Sequence, residues 1–406
     1  MGRPLSTHDI ESGRTNKPPT WRDWAAVFTG SALGYLCLML TVITYFNPAL
    51  LPFNPVSLVF NKQISPFFAF SHGSEDFSKP DGFKIVALVP FNDYERTSIL
   101  DCYLQKNLAT NRGFLDEVVF VPQTEDKTSL DWLDSAVQKT PEYTSWPSMN
   151  GMEWEVAEDN ILYIRIDGDV VFMEDHTIPT IVKTKLDNPK SLMVSANVAN
   201  EAALAFLHSH PGVALPYLPE VYHVARSSLA PSHDWRPSSL PYWRGPDDFK
   251  IEKGFQPPFH GHRWLLPADT DSDRDPIAAS IYDENGPGLQ DWTVSAQQHY
   301  SFLHHLEAGY LHRYKFPIWA SPTEPISQNF GCFWGKDART LGGIFGNHSS
   351  PESLAKSWMG VDGTRPHVLI DGKGLVSRYA GHLGPDGLDS TDLLDRYRAY
   401  TREKVC

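Results

Sequence analysis

The sequence predicts an α/β fold, a mostly parallel sheet flanked by helices and preceded by one N-terminal transmembrane helix. Three observations predict it. From Trp24 to Phe46, 23 consecutive residues carry no formal charge. From about residue 83 onward, short apolar runs of strand type alternate with segments whose apolar residues recur at helical spacing. One of those runs, "NILYIRIDGDVVF", is broken by a glycine held between Asp167 and Asp169. Lone carboxylates at the end of a buried strand are costly, so the pair asks for a cause.

The uncharged run would span about 34 Å as a helix at ~1.5 Å per residue, enough to cross a bilayer. Trp24, Tyr45 and Phe46 sit near its ends as interfacial aromatics do, and Pro48 stops a helix just beyond. It lies too far from the start, with no small-residue cleavage site, to read as a cleaved signal peptide. Arg3, Arg14, Lys17 and Arg22 precede it, and the next basic residue after it is Lys62. The positive-inside rule then puts the N-terminus in the cytosol and the rest of the chain on the other side, a type II topology. The expected map is a cytosolic tail (1–23), a signal anchor (24–46), a Pro-rich stem (47–80), a main domain (81–390) and a C-terminal helix (391–406).

Within the main domain, "FKIVALVPF" (83–91) reads as a first strand ending at Asn92 and Asp93. "YERTSILDCYLQKNLA" follows as a helix, "LDEVVFVP" (115–122) as a second strand, and "DKTSLDWLDSAVQK" as a second helix. "NILYIRI" (160–166) is a third strand, "TIPTIVKTKL" a short helix, and "SLMVSANV" a further strand. Strands alternating with helices imply parallel pairing through right-handed crossovers. Ligands bind beyond the carboxyl ends of such strands, so Asn92, Asp93, Arg96, Gln123 and Asp167 to Asp169 are the residues to watch. Residues 220 to 290 show no period and suit binding loops, here assigned to an acceptor. Residues 292 to 311 return to a helical pattern, and 365 to 382 read as a hairpin turning at Asp371 to Gly374.

A net charge of -14, with no Lys/Arg cluster, argues against a nucleic-acid partner. Four scattered cysteines, Cys37, Cys102, Cys332 and Cys406, make neither a disulfide scaffold nor a zinc site. Cys102 and Cys332 could pair or could both stay buried and free. Asn347-His348-Ser349 is an N-glycosylation sequon that also suits an unmodified loop. The alternating aspartates Asp269, Asp271, Asp273 and Asp275 fail the EF-hand pattern, since Arg274 takes the turn glycine's place and Ser280 that of the bidentate Glu. There is no zinc helix, no GxSxG elbow, no phosphate-binding Walker loop and no GxGxxG. Trp235, Trp243 and Trp264 could stack on sugar faces or simply pack in the core.

Two carboxylates one residue apart repel in a low dielectric unless a cation or hydrogen bonds neutralise them. Mg²⁺ and Mn²⁺ take one or two carboxylates completed by phosphate oxygens, the usual way to hold a nucleotide diphosphate. Gly168 frees the backbone to bend and lets a ligand come close. A hydrophobic-DxD-hydrophobic strand end some 80 residues after the first strand, behind a type II anchor, resembles the glycosyltransferases of the GT-A (Rossmann-like) fold. "SILDCYLQKNL", "FLDEVVFV", "LYIRIDGDVVFMEDHTIP", "SANVAN" and "PYLPE" resemble a group of fungal glycosyltransferases, over roughly residues 83 to 400.

The resemblance implies a Mn²⁺- or Mg²⁺-dependent enzyme of the Golgi or another secretory membrane, its catalytic domain lumenal. Such an enzyme moves a sugar from a nucleotide-sugar donor to a glycan, lipid or small-molecule acceptor. It implies that Asp167 lies near the donor ribose, that Asp169 ligates the metal, and that His382 completes the metal shell unless it is an ordinary loop histidine. Asp291, before the 292 to 311 helix, would be the base of an inverting reaction or a plain helix cap. Two other classes stay open: a membrane-tethered carbohydrate-binding protein without turnover, and a metal-dependent phosphoesterase or nucleotidyltransferase.

Overall fold

The computed structural model describes residues 21–46, 77–147, 156–201, 204–208, 212–222, 234–246, 248–252, 254–271, 275, 291–321, 329–345, 368–379 and 387–406. The chain forms two compact units, Met1–Phe68 and Ala69–Cys406. The first holds α1 (Trp21–Phe46), a 26-residue helix over the expected anchor. Among the described residues, no helix is long and apolar enough to cross a membrane. Phe28, Leu33, Leu36 and Leu38 on α1 are 71%, 63%, 55% and 61% exposed.

In the second unit, β1 (Ile85–Phe91) leads into α2 (Tyr94–Asn107), β2 (Glu117–Pro122), α3 (Lys127–Lys139), β3 (Tyr143–Ser145) and β4 (Leu162–Ile166). After Asp169 come β5 (Val170–Met173), α4 (Thr177–Asp187), β6 (Met193–Ala199), the short α5 (Ala205–His208) and β7 (Leu218–Pro219). The chain ends with β8 (Trp264–Leu265), α6 (Trp292–Ala308), β9 (Trp319–Ser321), β10 (Phe330–Trp334), α7 (Gly335–Phe345), β11 (Val368–Arg378) and α8 (Leu393–Lys404).

Nine strands make one sheet in the order β3-β2-β1-β4-β10-β6-β11-β5, with β9 also on β11. β3, β2, β1 and β4 pair in parallel. β10 runs against both β4 and β6, so β6 points the same way as β4, and β11 is parallel to β6. Six of the nine strands therefore run one way, and β5, β9 and β10 are reversed. The carboxyl ends of β1, β2, β4, β6 and β11 consequently lie along one edge, which is where a ligand site belongs.

Both faces of the sheet are covered, which is why β1 is apolar at every position. Ile85, Ala87, Val89 and Phe91 join a core with Ile99, Leu100 and Leu104 of α2. Val86 and Leu88, pointing the other way by the period-2 alternation of a strand, pack with Ala338 and Leu341 of α7.

Two readings of the sequence need correcting. The expected hairpin at 365 to 382 is a single 11-residue strand, β11, whose register shifts between Asp371 and Leu375. Its glycines serve close packing, not a turn: a Cβ on Gly372 would lie 2.1 Å from the Phe316 carbonyl oxygen. Cys102 pairs with Cys406, their Cα atoms 5.2 Å apart, so the pairing with Cys332 does not occur. Cys332 lies on β10 inside the core, free, and burial pushes its thiol up to about 12. At the end of the chain, Leu393 and Tyr397 of α8 are fully buried in the main core.

Candidate active site at the carboxyl edge of the sheet

The site assembles from five strand ends. After β1, Asp93 caps α2, accepting from the Arg96 backbone N–H at 2.9 Å, and takes a second bond from Arg96 Nη1 at 3.1 Å. The cap thus also orients a cation inward. After β4, the backbone turns through Asp167 and Gly168, with the Val170 N–H donating to the Asp167 carbonyl at 3.0 Å. A Cβ on Gly168 would lie 2.6 Å from the Pro90 carbonyl oxygen and 3.3 Å from Thr97 Oγ1. The close approach that makes glycine necessary here is thus that of β1's own backbone, where the sequence suggested a ligand.

Asp167 and Asp169 are only 7% and 4% exposed, and two arginines meet them. Arg96 Nη1 is 3.3 Å from Asp169 Oδ1, while its Nη2 reaches Asp389 at 3.2 Å. Arg378, the last residue of β11, places Nη2 3.5 Å from Asp169 and Nε 3.5 Å from Asp167. Its Nη1 is 3.9 Å from Glu201, beyond the end of β6. At these distances Arg378 makes ion pairs but no hydrogen bond through Nε, which is buried without a partner. The Arg96 guanidinium also lies over the Tyr379 ring, 5.2 Å from its centroid.

Five carboxylates (Asp93, Asp167, Asp169, Glu201 and Asp389) therefore face two guanidinium groups, an excess of three negative charges when all are ionised. Burial first and Asp167 second raise the Asp169 carboxyl above its ordinary range, against the pull of Arg96 and Arg378. Two oxygen donors in such a field suit a hard divalent cation completed by phosphate oxygens. Among the described residues, no group of three or more His, Cys, Asp or Glu side chains could hold a metal ion by protein ligands alone.

Beyond the ends of β1 and β2 opens a cleft of about 510 Å³, lined by Asn92, Asp93, Arg96, Thr124, His260 and Asp389 among others. The aspartate pair does not line it; Arg96 stands between the cleft and Asp169. A deeper network fixes the far side of the site. Asn200, in the left-handed region at φ 64°, donates to Ser377 Oγ at 3.1 Å and bonds a ring nitrogen of His299 at 3.0 Å. His299 Nδ1 meets the Tyr397 hydroxyl at 2.9 Å. Burial holds His299 down to about 3, so it is a neutral tie between the ends of β6 and β11 and α8.

The remaining predicted residues fall as follows. Asp291 is the N-cap of α6, accepting from the Thr293 N–H at 2.9 Å and hydroxyl at 2.6 Å. His382 and Asn347 lie outside the described residues. Of the histidines no site was assigned to, His262 is fully buried and bonds the Phe259 and Ser390 carbonyls, and His305 Nε2 bonds the Val213 carbonyl, both ordinary roles. Trp264 is core, and Trp235 donates to Glu403. Arg378, Glu201 and Asp389 were missed. Arg378 ends an apolar strand just as Asp167 follows one, and the same strand-end rule finds it once 365 to 382 is read as one strand.

No family model matches the chain, and no curated protein does. Among solved structures, the chain is similar to the mannosyltransferase PcManGT from Pyrobaculum calidifontis, in complex with GDP-Man and Mn²⁺. The identity is 15% over 34% of this chain and 43% of that one, at a TM-score of 0.26. It is similar to GalNAc-T7 with UDP, GalNAc and Mn²⁺ at 9% identity over 79% of this chain and 48% of that one, TM-score 0.36. It is similar as well to 4-diphosphocytidyl-2C-methyl-D-erythritol synthase at 15% identity over 28% of this chain and 60% of that one, TM-score 0.21. In each case the match spans less than two thirds of the solved chain. Likenesses of this extent place the chain in no family.

Proposed function

We propose that the chain is a metal-dependent glycosyltransferase that uses a nucleotide-sugar donor and a glycan, lipid or small-molecule acceptor. The observation that carries this reading is the nearly buried aspartate pair at the carboxyl edge of the sheet, left with excess negative charge beside an open cleft. Asp167 and Asp169 would hold Mn²⁺ or Mg²⁺, and the bound ion would neutralise charge on the departing diphosphate. Arg96 and Arg378 would exchange carboxylate partners for phosphate oxygens, Arg96 from the cleft side. Asn92 and Thr124, on the cleft wall, offer polar groups to the nucleoside. Asp291 remains the proposed base of an inverting transfer, and His382 the proposed third metal ligand.

On the same reading α1 attaches the chain to the Golgi or another secretory membrane, and Asn347 carries a glycan. The uncharged run from Trp24 to Phe46 and the exposed Phe28, Leu33, Leu36 and Leu38 support the anchor. One observation favours a second reading, a tethered carbohydrate-binding protein without turnover: both aspartates are already paired to arginines.

The test uses the full-length chain in mild detergent with a panel of nucleotide sugars. We expect Mn²⁺-dependent donor binding by calorimetry and slow donor hydrolysis, both lost in Asp169→Asn. Turnover of nucleotide without glycoside formation would favour a phosphoesterase or nucleotidyltransferase instead. Asp291→Asn separates the roles of the cap, because Asn caps a helix as well as Asp does. Unchanged stability with transfer lost by about 10²-fold or more marks Asp291 as the base; unchanged transfer removes it.

A further inference from the structure

A second cleft lies at β8, whose Leu265 lines it. β7 and β8 form a two-stranded antiparallel ribbon, Leu218 paired with Leu265 and Pro219 with Trp264. Immediately beyond it, the Glu220 N–H donates to the Arg263 carbonyl at 2.7 Å. Their side chains close a two-pronged pair, Arg263 Nε to Glu220 Oε2 at 2.9 Å and Nη2 to Oε1 at 2.5 Å. The ion pair is therefore fixed at both backbone and side chain. It forms the polar floor of a cleft of about 300 Å³ whose walls include Tyr222, Tyr242, Trp243 and Arg244.

The walls are unusual for a surface. Tyr222 and Tyr242 are 60% and 62% exposed. Trp243 is held in orientation by its indole N–H, which donates to the Pro219 carbonyl at 3.0 Å, and by its backbone N–H, which donates to Leu266. Gly245 packs directly on that ring, since a Cβ there would lie 1.9 Å from it. Trp243 is a fixed wall and the two tyrosines stay open to solvent, so together they supply amphipathic contact area. Arg263 spends Nε and Nη2 on Glu220, and among the described residues no acceptor meets its Nη1.

We propose that this cleft is a saccharide-binding site, and that on the transferase reading it holds the sugar of the acceptor. A pyranose has an apolar C–H face and an equatorial rim of hydroxyls. Tyr222 and Tyr242 match the face, and Arg263 Nη1 offers a hydroxyl a charged donor while Glu220 balances its charge, so no charged ligand is demanded. The volume lies at the lower bound of about 300 Å³ for small-molecule sites, suited to one or two sugar rings. The position suits an acceptor: His260 lines the first cleft and Arg263 the second, and three residues of chain span at most ~11 Å.

The acceptor role rests on the proposed transferase function, so the test reads the two clefts separately. Full-length chain in mild detergent is mixed with the methyl glycosides of glucose, mannose, galactose and N-acetylglucosamine, and saturation-transfer NMR reports which ring protons contact protein. We expect saturation of the C–H face of at least one glycoside, reduced about 10-fold or more in Tyr222→Ala/Tyr242→Ala and in Arg263→Lys, which keeps the charge but loses the fork. Mn²⁺-dependent donor binding stays at the wild-type level in the tyrosine variant, whose changes are on exposed side chains. Absence of saturation for all four glycosides, or undiminished saturation in both variants, overturns the saccharide site. Saccharide binding at this cleft in a chain that binds no donor would sink the transferase reading and leave the site standing.

Discussion

Replacing Gly168 with alanine tests the central geometric claim, that β4 delivers its two aspartates only by passing directly under the end of β1. The added Cβ would sit 2.6 Å from the Pro90 carbonyl oxygen, some 0.8 Å inside an ordinary contact of about 3.4 Å. The obstructing atom is backbone in the parallel ladder between β1 and β2, so no rotamer change relieves it. Thr97 Oγ1, at 3.3 Å, blocks the adjacent direction. Overpacking of this kind costs about 1–3 kcal/mol. For a unit of about 340 residues, unfolding entropy near ~2.1 cal/mol/K per residue turns that into a Tm lower by roughly 1–4 °C. The larger effect falls on the site. Relief by a shift of even ~1 Å moves Asp167 and Asp169 against Arg96 and Arg378, and misplacement of that size costs about 10²-fold in a positioned reaction. Urea denaturation gives the stability and calorimetry gives Mn²⁺-dependent donor binding. A variant within ~0.5 kcal/mol of wild type that binds donor normally would show that the turn is not confined by β1, and the argument for Gly168 would fail.

Two further outcomes rest on the Asp169 carboxyl and on the disulfide. Because the folded-state Asp169 carboxyl is raised, folding favours its protonated form; that contribution is present below the unfolded value of about 3.8 and is lost as pH rises through the folded value. Metal-free wild type should therefore lose stability relative to Asp169→Asn as pH is raised from about 3 toward 7, and Mn²⁺ should restore wild type but not the variant. Parallel curves across that range would contradict the raised carboxyl. Cys406→Ser removes a bond that closes a loop of 304 residues, for which about 2–5 kcal/mol of stability is expected to be lost. Reductant should then lower wild type to the variant's level and leave the variant unmoved; an equal effect of reductant on both would exclude the Cys102–Cys406 bond.

Much of the fold was legible because its cause is local. The burial of β1 on both faces shows as an unbroken apolar run, and the faces of α2 and α3 show as helical spacing. β3, β9 and β10 were not read, since three to five residues carry too little period to distinguish a strand from a loop. β11 was misread for a related reason. Gly372 and Gly374 look like a turn in sequence, while their smallness answers Phe316 and Thr177, which come from elsewhere in the chain.

At the site, the sequence by itself determined that two carboxylates end a buried strand and that something must compensate them, because local pattern fixes where a strand stops. It also offered Asp291 as a helix cap, which it is, because capping is local chemistry. Only the tertiary structure decided what compensates the pair. Arg96 and Arg378 are 73 and 209 positions away from Asp169, and sheet order alone brings the ends of β1, β4 and β11 together. It decided too that Cys102 meets Cys406 and that Glu220 meets Arg263 just beyond the β7–β8 ribbon. Charge balance and cleft shape are properties of residues distant in the chain, and a linear pattern carries no record of that distance once it is folded away.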